Sequence, residues 1–224
     1  MKQLIMGIVI AMFSVCASAQ KDVTRFLGIP VDGTKAEMIQ KLKAKGFRPS
    51  TYNKEILEGE FNGRNVYLGV VTNGGKVWRV AMFDAVNSDE QAIKTRFNTL
   101  YYQFNNNSKY FTLSGYANTI PDDEDISYQM TVNNKPYEAA FFQSLDSTIT
   151  KEIIRNEALK KYTQQELENP TKEIQTNLSA MEFDYRIVAC TKKTVWFKIE
   201  RSYGEYYIVM YYDNEYNKAN GEDL

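Results

Sequence analysis

Residues 55–83, EILEGEFNGRNVYLGVVTNGGKVWRVAMF, decide the fold. Asn62-Gly63 is a strong hairpin signal because both residues accept positive φ, and it joins a strand over 55–61 to one over 64–71. Val66, Leu68 and Val70 share one face of that second strand, with Tyr67 and Val71 on the other. Thr72-Asn73-Gly74-Gly75 turns the chain again into a third strand over 76–83. Apolar residues stand on both faces of the last two strands, which predicts a sheet partly covered on both sides.

Helices flank this meander. Thr34-Lys35-Ala36-Glu37 is a capping box; Met38, Ile39 and Leu42 follow on one face, and Gly46 closes the helix ahead of Phe47. Ser88-Asp89-Glu90-Gln91 is read as a second box. It opens a helix whose Ile93, Phe97, Leu100, Tyr101 and Phe104 recur at three- and four-residue steps, with a left-handed stop expected in Asn105-Asn106-Asn107. A short strand over 110–114 leads to the acidic loop Pro121-Asp122-Asp123-Glu124-Asp125. Residues 126–132 and 137–142 then read as a hairpin across Asn133-Asn134.

From Ser147 to Met181 the period is helical, with Ile154, Ala158 and Tyr162 on one face. A fresh start follows at Asn169-Pro170, with Pro at the first helical position and Ile174, Leu178 and Met181 on one side beyond it. Strands over 185–191, 194–201 and 205–212 close the chain, turning at Lys192-Lys193 and around Gly204. The class is α+β: antiparallel β-meanders packed by amphipathic helices. They are read as two related helix-plus-meander lobes, 20–115 and 116–224, the second with a helical insert, or as one domain. Glu60–Val66 echoes Glu182–Val188, and each stretch leads on to a Val-Trp pair, Val77-Trp78 and Val195-Trp196. Duplication and chance similarity both fit that echo.

The first nineteen residues read as an export signal: Lys2, then the apolar run LIMGIVIAMFSV (4–15), then Ala17-Ser18-Ala19 with cleavage after Ala19. The run falls short of the about 20 residues of a membrane span, so no stable membrane anchor is expected. Acylation at Cys16 is the rival reading. Val15 and Phe13 stand where lipid-modified signals carry a small residue and Leu, which favours simple cleavage. Removal of residues 1–19 leaves 205 residues carrying 26 basic and 28 acidic side chains. That balance gives no electrostatic reason to bind nucleic acid. Only Cys190 survives cleavage, so no internal disulfide can form.

The chain has no histidine. Ser-His-Asp and Cys-His catalysis and His-based zinc chemistry are thereby excluded, leaving carboxylate pairs and Ser-Lys chemistry. Glu58 and Glu60 share one strand face and could form a carboxylate pair, or simply be edge-strand charges. The acidic loop 122–125 and the tail from Asp213 to Leu224 offer oxygen ligands, but lack the Asp-x-Asp-x-Asp-Gly spacing that wraps calcium. Cys190, placed in a strand beside Val188 and Arg186, reads as a structural thiol. No cofactor and no metal are expected.

Aromatic residues are abundant, with 16 Tyr, 12 Phe and 2 Trp, and a group of them crowds the C-terminal third at Trp196, Tyr203, Tyr206, Tyr207, Tyr211, Tyr212 and Tyr216. Alternation puts Tyr207, Val209 and Tyr211 on one face of the last strand, and Tyr206, Ile208, Met210 and Tyr212 on the other. One face must be core; the other is either a binding platform or packed beneath helices. Trp196, Tyr207 and Tyr211 are the candidate binding residues.

The stretches FLGIPVDGTKAEMIQKLKAKGF (26–47), EGEFNGRNVYLGVVT (58–72) and YYDNEYNKANGEDL (211–224) resemble a group of uncharacterised exported bacterial proteins. That resemblance implies secretion and carries over no activity and no site residue. In outline, the repeated helix-plus-meander is similar to beta-lactamase-inhibitor-like and outer-membrane assembly lipoprotein modules, which implies protein binding by analogy of architecture alone. The expected function is a non-catalytic exported module, periplasmic or extracellular, binding a protein or cell-envelope component. A carboxylate-dependent glycan hydrolase and a structural envelope protein are the alternatives.

Overall fold

Two turns in left-handed backbone set the sheet. Asn62 and Gly63 adopt φ of 52° and 72°, and Tyr203 and Gly204 adopt 51° and 85°, so each pair reverses the chain within two residues. The structure, a computed structural model, describes residues 21–219. The expected export signal, Cys16 and the Ala19 cleavage site lie outside the described residues.

In chain order, a two-stranded ribbon of β1 (Arg25–Phe26) and β2 (Ile29–Pro30) precedes α1 (Lys35–Ala44). Thr34 caps that helix by accepting from Glu37 N, and Glu37 returns a carboxylate to Thr34 N, as the capping box requires. Then come β3 (Arg48–Pro49), β4 (Leu57–Phe61), β5 (Arg64–Asn73) and β6 (Lys76–Asp84), followed by α2 (Glu90–Asn105), β7 (Tyr110–Phe111) and α3 (Ile126–Val132). The remainder is β8 (Glu138–Gln143), α4 (Ser147–Ala158), α5 (Gln164–Glu168), α6 (Lys172–Cys190), β9 (Lys193–Ser202) and β10 (Glu205–Asn214). The fold is α+β, as expected.

One eight-stranded antiparallel sheet runs β3-β4-β5-β6-β10-β9-β8-β7. Its middle is the β6–β10 pair, from which β5-β4 extend to one side and β9-β8 to the other. Helices α1 and α2 pack on the same face, α1 on β5 and β6, α2 on β9 and β10. Beneath them Leu57, Leu68, Val80, Met82, Phe197, Met210 and Tyr212 join Met38, Leu42, Ile93, Phe97 and Leu100 in a single buried cluster. The opposite face keeps Tyr67, Phe83, Trp196, Tyr207 and Tyr211 half-buried along its length.

Five local expectations are corrected. Residues 126–132 form α3 rather than a hairpin arm: Asp125 accepts from Tyr128 N at 2.8 Å, and Ile126 is buried. Asn134, at φ 51°, lies just past the end of that helix, so the Asn pair stops a helix rather than turning a hairpin. Residues 185–191, expected as a strand, belong to the last turns of α6 and its cap at Thr191. Both neighbours of β9 in the sheet are already supplied, by β8 and β10, so no pairing position remains for an extra strand there.

The other three concern helix ends. Asp89, not Ser88, caps α2, while Ser88 bridges Tyr206 of β10 through paired backbone bonds of 2.7 and 2.9 Å. The stop at Asn106 has φ −89°, so it is not left-handed. Thr171 caps α6, leaving Pro170 just outside the helix. The sequence echo also separates: Glu60–Val66 spans the β4–β5 hairpin, whereas Glu182–Val188 lies inside α6.

The segment before β1 is tied into the sheet by a buried ion pair. Lys193 Nζ donates to Asp22 Oδ1 at 2.7 Å and to Ser144 O at 3.0 Å, and Asp22 Oδ2 accepts from Asp146 N. Both side chains are at most 4 % exposed, and each charge is met by the other and by a backbone group.

Gly59 marks the tightest helix-side packing on β4. A Cβ built there would lie 2.5 Å from Phe47 Cδ1, whereas one at Gly69 would meet Ile56 Cδ1 at an ordinary 3.8 Å. Gly59→Ala should lower the urea-unfolding free energy by about 1–3 kcal/mol through overpacking. Gly69→Ala should change it by no more than about 0.5 kcal/mol, and equal effects at the two sites would refute this account of the packing.

Candidate functional site

The register of the sheet fixes which side chains share its open face. One row across the strands reads Gly69, Ala81, Tyr211, Trp196 and Ala140, each paired with the next. On one side of it lies a row of Tyr67, Phe83, Val209, Lys198 and Glu138. On the other lies Val71, Arg79, Asp213, Thr194 and Phe142. Trp196, Tyr207 and Tyr211 thus stand on one face, each half-buried, and Trp196 sits directly opposite Tyr211. Tyr206, Ile208, Met210 and Tyr212 take the buried face, and Tyr203 occupies the fully exposed turn.

At the centre is a stack the sequence reading missed. The Trp196 and Tyr211 rings lie 4.3 Å apart at 29°. The Arg79 guanidinium covers the Tyr211 ring at 4.3 Å and the Trp78 ring at 4.2 Å. Asp213 accepts from both Arg79 Nε and Nη2 at 2.7 Å, and from Trp196 Nε1 at 2.9 Å. One carboxylate therefore binds the cation bidentately and also orients the indole. The Asp213 side chain is 2 % exposed and that of Arg79 is 20 % exposed.

The signal for this pair was available in strand parity. Arg79 interrupts KVWRVAMF and Asp213 ends YYIVMYYD, each on the same face as the aromatic residues. A charge within an apolar strand calls for a partner on the neighbouring strand.

The remaining charges on this face are largely paired. Lys198 bonds Glu200, which holds its ammonium above the ordinary lysine range. Glu58 bonds Arg48 Nε at 3.1 Å, while Glu60 is exposed two residues along β4. One member of the candidate carboxylate pair is thus engaged by a cation.

The acidic loop is a structural clasp. Lys94 Nζ donates to the Asp122 and Glu124 carbonyls at 2.6 and 3.1 Å. Lys135 and the Tyr137 hydroxyl both bond the Glu124 carboxylate at 2.5 Å. Among the described residues no group of three or more Cys, Asp or Glu is placed to hold a metal ion. Cys190, expected in a strand, instead ends α6 as a half-buried free thiol whose Sγ donates to Ile187 O. Among the described residues no helix is long and apolar enough to cross a membrane.

No protein-family model matches the chain, and comparisons with curated proteins and with solved structures find no significant match.

Two measurements test this geometry. Asp213→Asn removes the charge that holds Arg79 and should cost about 1–3 kcal/mol in urea unfolding, with a weakened near-UV circular dichroism signal from Trp196 and Tyr211. A variant with unchanged stability and spectrum would show that the stack does not depend on that carboxylate. Glu124 is held below the ordinary carboxyl value of 4.5, first by Lys135 and then by Tyr137. Because its folded pKa is depressed, its stabilisation is complete above the ordinary range and is lost as pH falls through the folded value. Between about pH 6 and pH 3, the urea midpoint should fall further in the wild type than in Glu124→Gln.

Proposed function

We propose that this chain is a non-catalytic exported module that binds another protein through the open aromatic face of its sheet. One observation carries the reading. Tyr67, Phe83, Trp78, Trp196, Tyr207 and Tyr211 stand half-buried on a sheet surface, while α1 and α2 fill the other side. Aromatic residues on a rigid scaffold give large contact area at low entropic cost, which is the composition of an interface centre. The Arg79–Asp213 pair neutralises the charge at the middle of the face, so docking there does not strand an unpaired ion. The expected export signal would deliver such a module to the periplasm or beyond the cell, where its partner would be a protein or an envelope component.

Immobilised mature chain should capture a discrete partner from the native cell envelope. Tyr211→Ala and Trp196→Ala should each weaken that partner's binding by about 30-fold, the scale of an interface hot spot. Phe183→Ala, on the exposed side of α6, should leave it unchanged. Retention of full affinity by both aromatic variants, with folding confirmed by circular dichroism, would remove the face from the binding reaction. Binding of glycan with no protein captured would instead move the reading to an envelope polysaccharide.

A further inference from the structure

We propose that a slot between Trp196 and Tyr116 receives an arginine side chain of the partner, with Glu138 as its counter-charge. The inference rests on the reading that this face docks a protein. Its geometry follows from the sheet. The central row continues past Ala140 through a backbone bond of 2.7 Å from Ala140 N to Tyr116 O. Trp196, Ala140 and Tyr116 are therefore three successive positions across the sheet, and only a methyl group stands between the two aromatic residues.

Trp196 spends one ring face on Tyr211, leaving its other side toward Ala140. Tyr116 rests edge-on against Phe142, with ring centroids 6.1 Å apart, yet is 55 % exposed. Together with Gly115, Glu138 and Ala139 these residues line a groove of about 460 Å³. Two strand spacings amount to about 9.6 Å. A planar group in contact with a ring on each side needs about 7–8 Å. The slot is one planar side chain wide.

The same face already contains the arrangement that such a side chain would make. Arg79 lies between the Trp78 and Tyr211 rings while the Asp213 carboxylate grips its nitrogens. At the second position the aromatic walls are Trp196 and Tyr116, and the acid is Glu138. Glu138 is exposed and forms no salt bridge among the described residues. Lys198 faces it across β8 and β9, but its ammonium is bonded to Glu200. The three groups together carry one net negative charge at the mouth of the slot. Guanidinium suits this better than ammonium, because it stacks flat on aromatic faces and still donates in its own plane to a carboxylate.

The probe is the acetylated, amidated tripeptide of three arginines, added to the mature chain in a ¹⁵N-¹H correlation experiment. The Trp196 indole N–H and the Ala140 amide should shift saturably with a Kd of about 1–10 mM. The matching trilysine peptide should bind about tenfold more weakly, and Glu138→Gln should weaken the arginine peptide by a similar factor. Ala140→Leu, which fills the slot, and Tyr116→Ala, which removes a wall at an exposed loop, should both abolish the shifts. The proposal falls if Trp196 and Ala140 do not respond to the arginine peptide, or if Ala140→Leu and Tyr116→Ala respond as wild type does. Partner capture separates the two readings. If Tyr211→Ala loses the partner while Ala140→Leu and Tyr116→Ala keep it, the docking face stands and the arginine slot does not.

Discussion

The pairing of β6 with β10 is the constraint on which the rest of this molecule depends. Five residue pairs, from Phe83–Val209 to Arg79–Asp213, join two sets of strands that have no other contact in the sheet order. On the helix side the seam buries Val80 against Tyr212 and Met82 against Met210. On the open side it is fastened by the bidentate Arg79–Asp213 bridge. Residues near both ends of the described segment meet on the same strands. Thr24 donates its hydroxyl to the Asp213 carbonyl, Asn214 Nδ2 to Val31 O, and Asn217 Nδ2 to Val77 O. A slip of one residue at this seam would exchange the core and surface sets on both strands, so the hydrophobic pattern and the ion pair select the same register.

Much of that pattern can be read directly from sequence where one physical signal dominates. Asn62-Gly63 and Thr34–Glu37 specify their turn and cap through local chemistry alone, and both form as read. Residues 126–132 are harder. Their Ile, Tyr, Met, Thr and Val suit a strand by propensity, and the deciding feature is the Asp125 cap together with burial of Ile126 against the core. Residues 185–191 fail for a different reason. Ile187 and Val188 favour strands intrinsically, but the preference is a few tenths of a kcal/mol per residue. It yields to the absence of a sheet position, which is a property of the whole topology and is not written in the segment itself.

The candidate face shows the same division. That Trp196, Tyr207 and Tyr211 share a side follows from alternation and from one correct hairpin register across Tyr203-Gly204. That Arg79 and Asp213 meet among those rings depends on a contact between residues 134 positions apart. Likewise Tyr116 reaches the row only because its loop bonds to the edge of β8, which the misread hairpin over 126–142 concealed. Single strands announce their faces; the composition of a face requires the strand order.

The Arg79–Asp213 bridge also limits how this surface can recognise anything. It lies among the rings and uses their faces: the guanidinium lies 4.2 Å from the Trp78 ring, 4.3 Å from that of Tyr211 and 5.5 Å from that of Trp196, and Tyr211 also stacks on Trp196. A ligand that stacks its own flat face on tyrosine or tryptophan, as a sugar ring does, therefore finds most of those faces already engaged. Ring edges, the troughs above Gly69, Ala81 and Ala140, and the free side of Trp196 are what the centre of the surface presents. Edges and troughs complement protruding side chains rather than flat rings. The stack is held in place by a buried carboxylate and a shared hydrogen bond, so little side-chain freedom is left to lose on docking. A fixed relief of this kind suits a folded protein partner, whose own side chains are equally fixed.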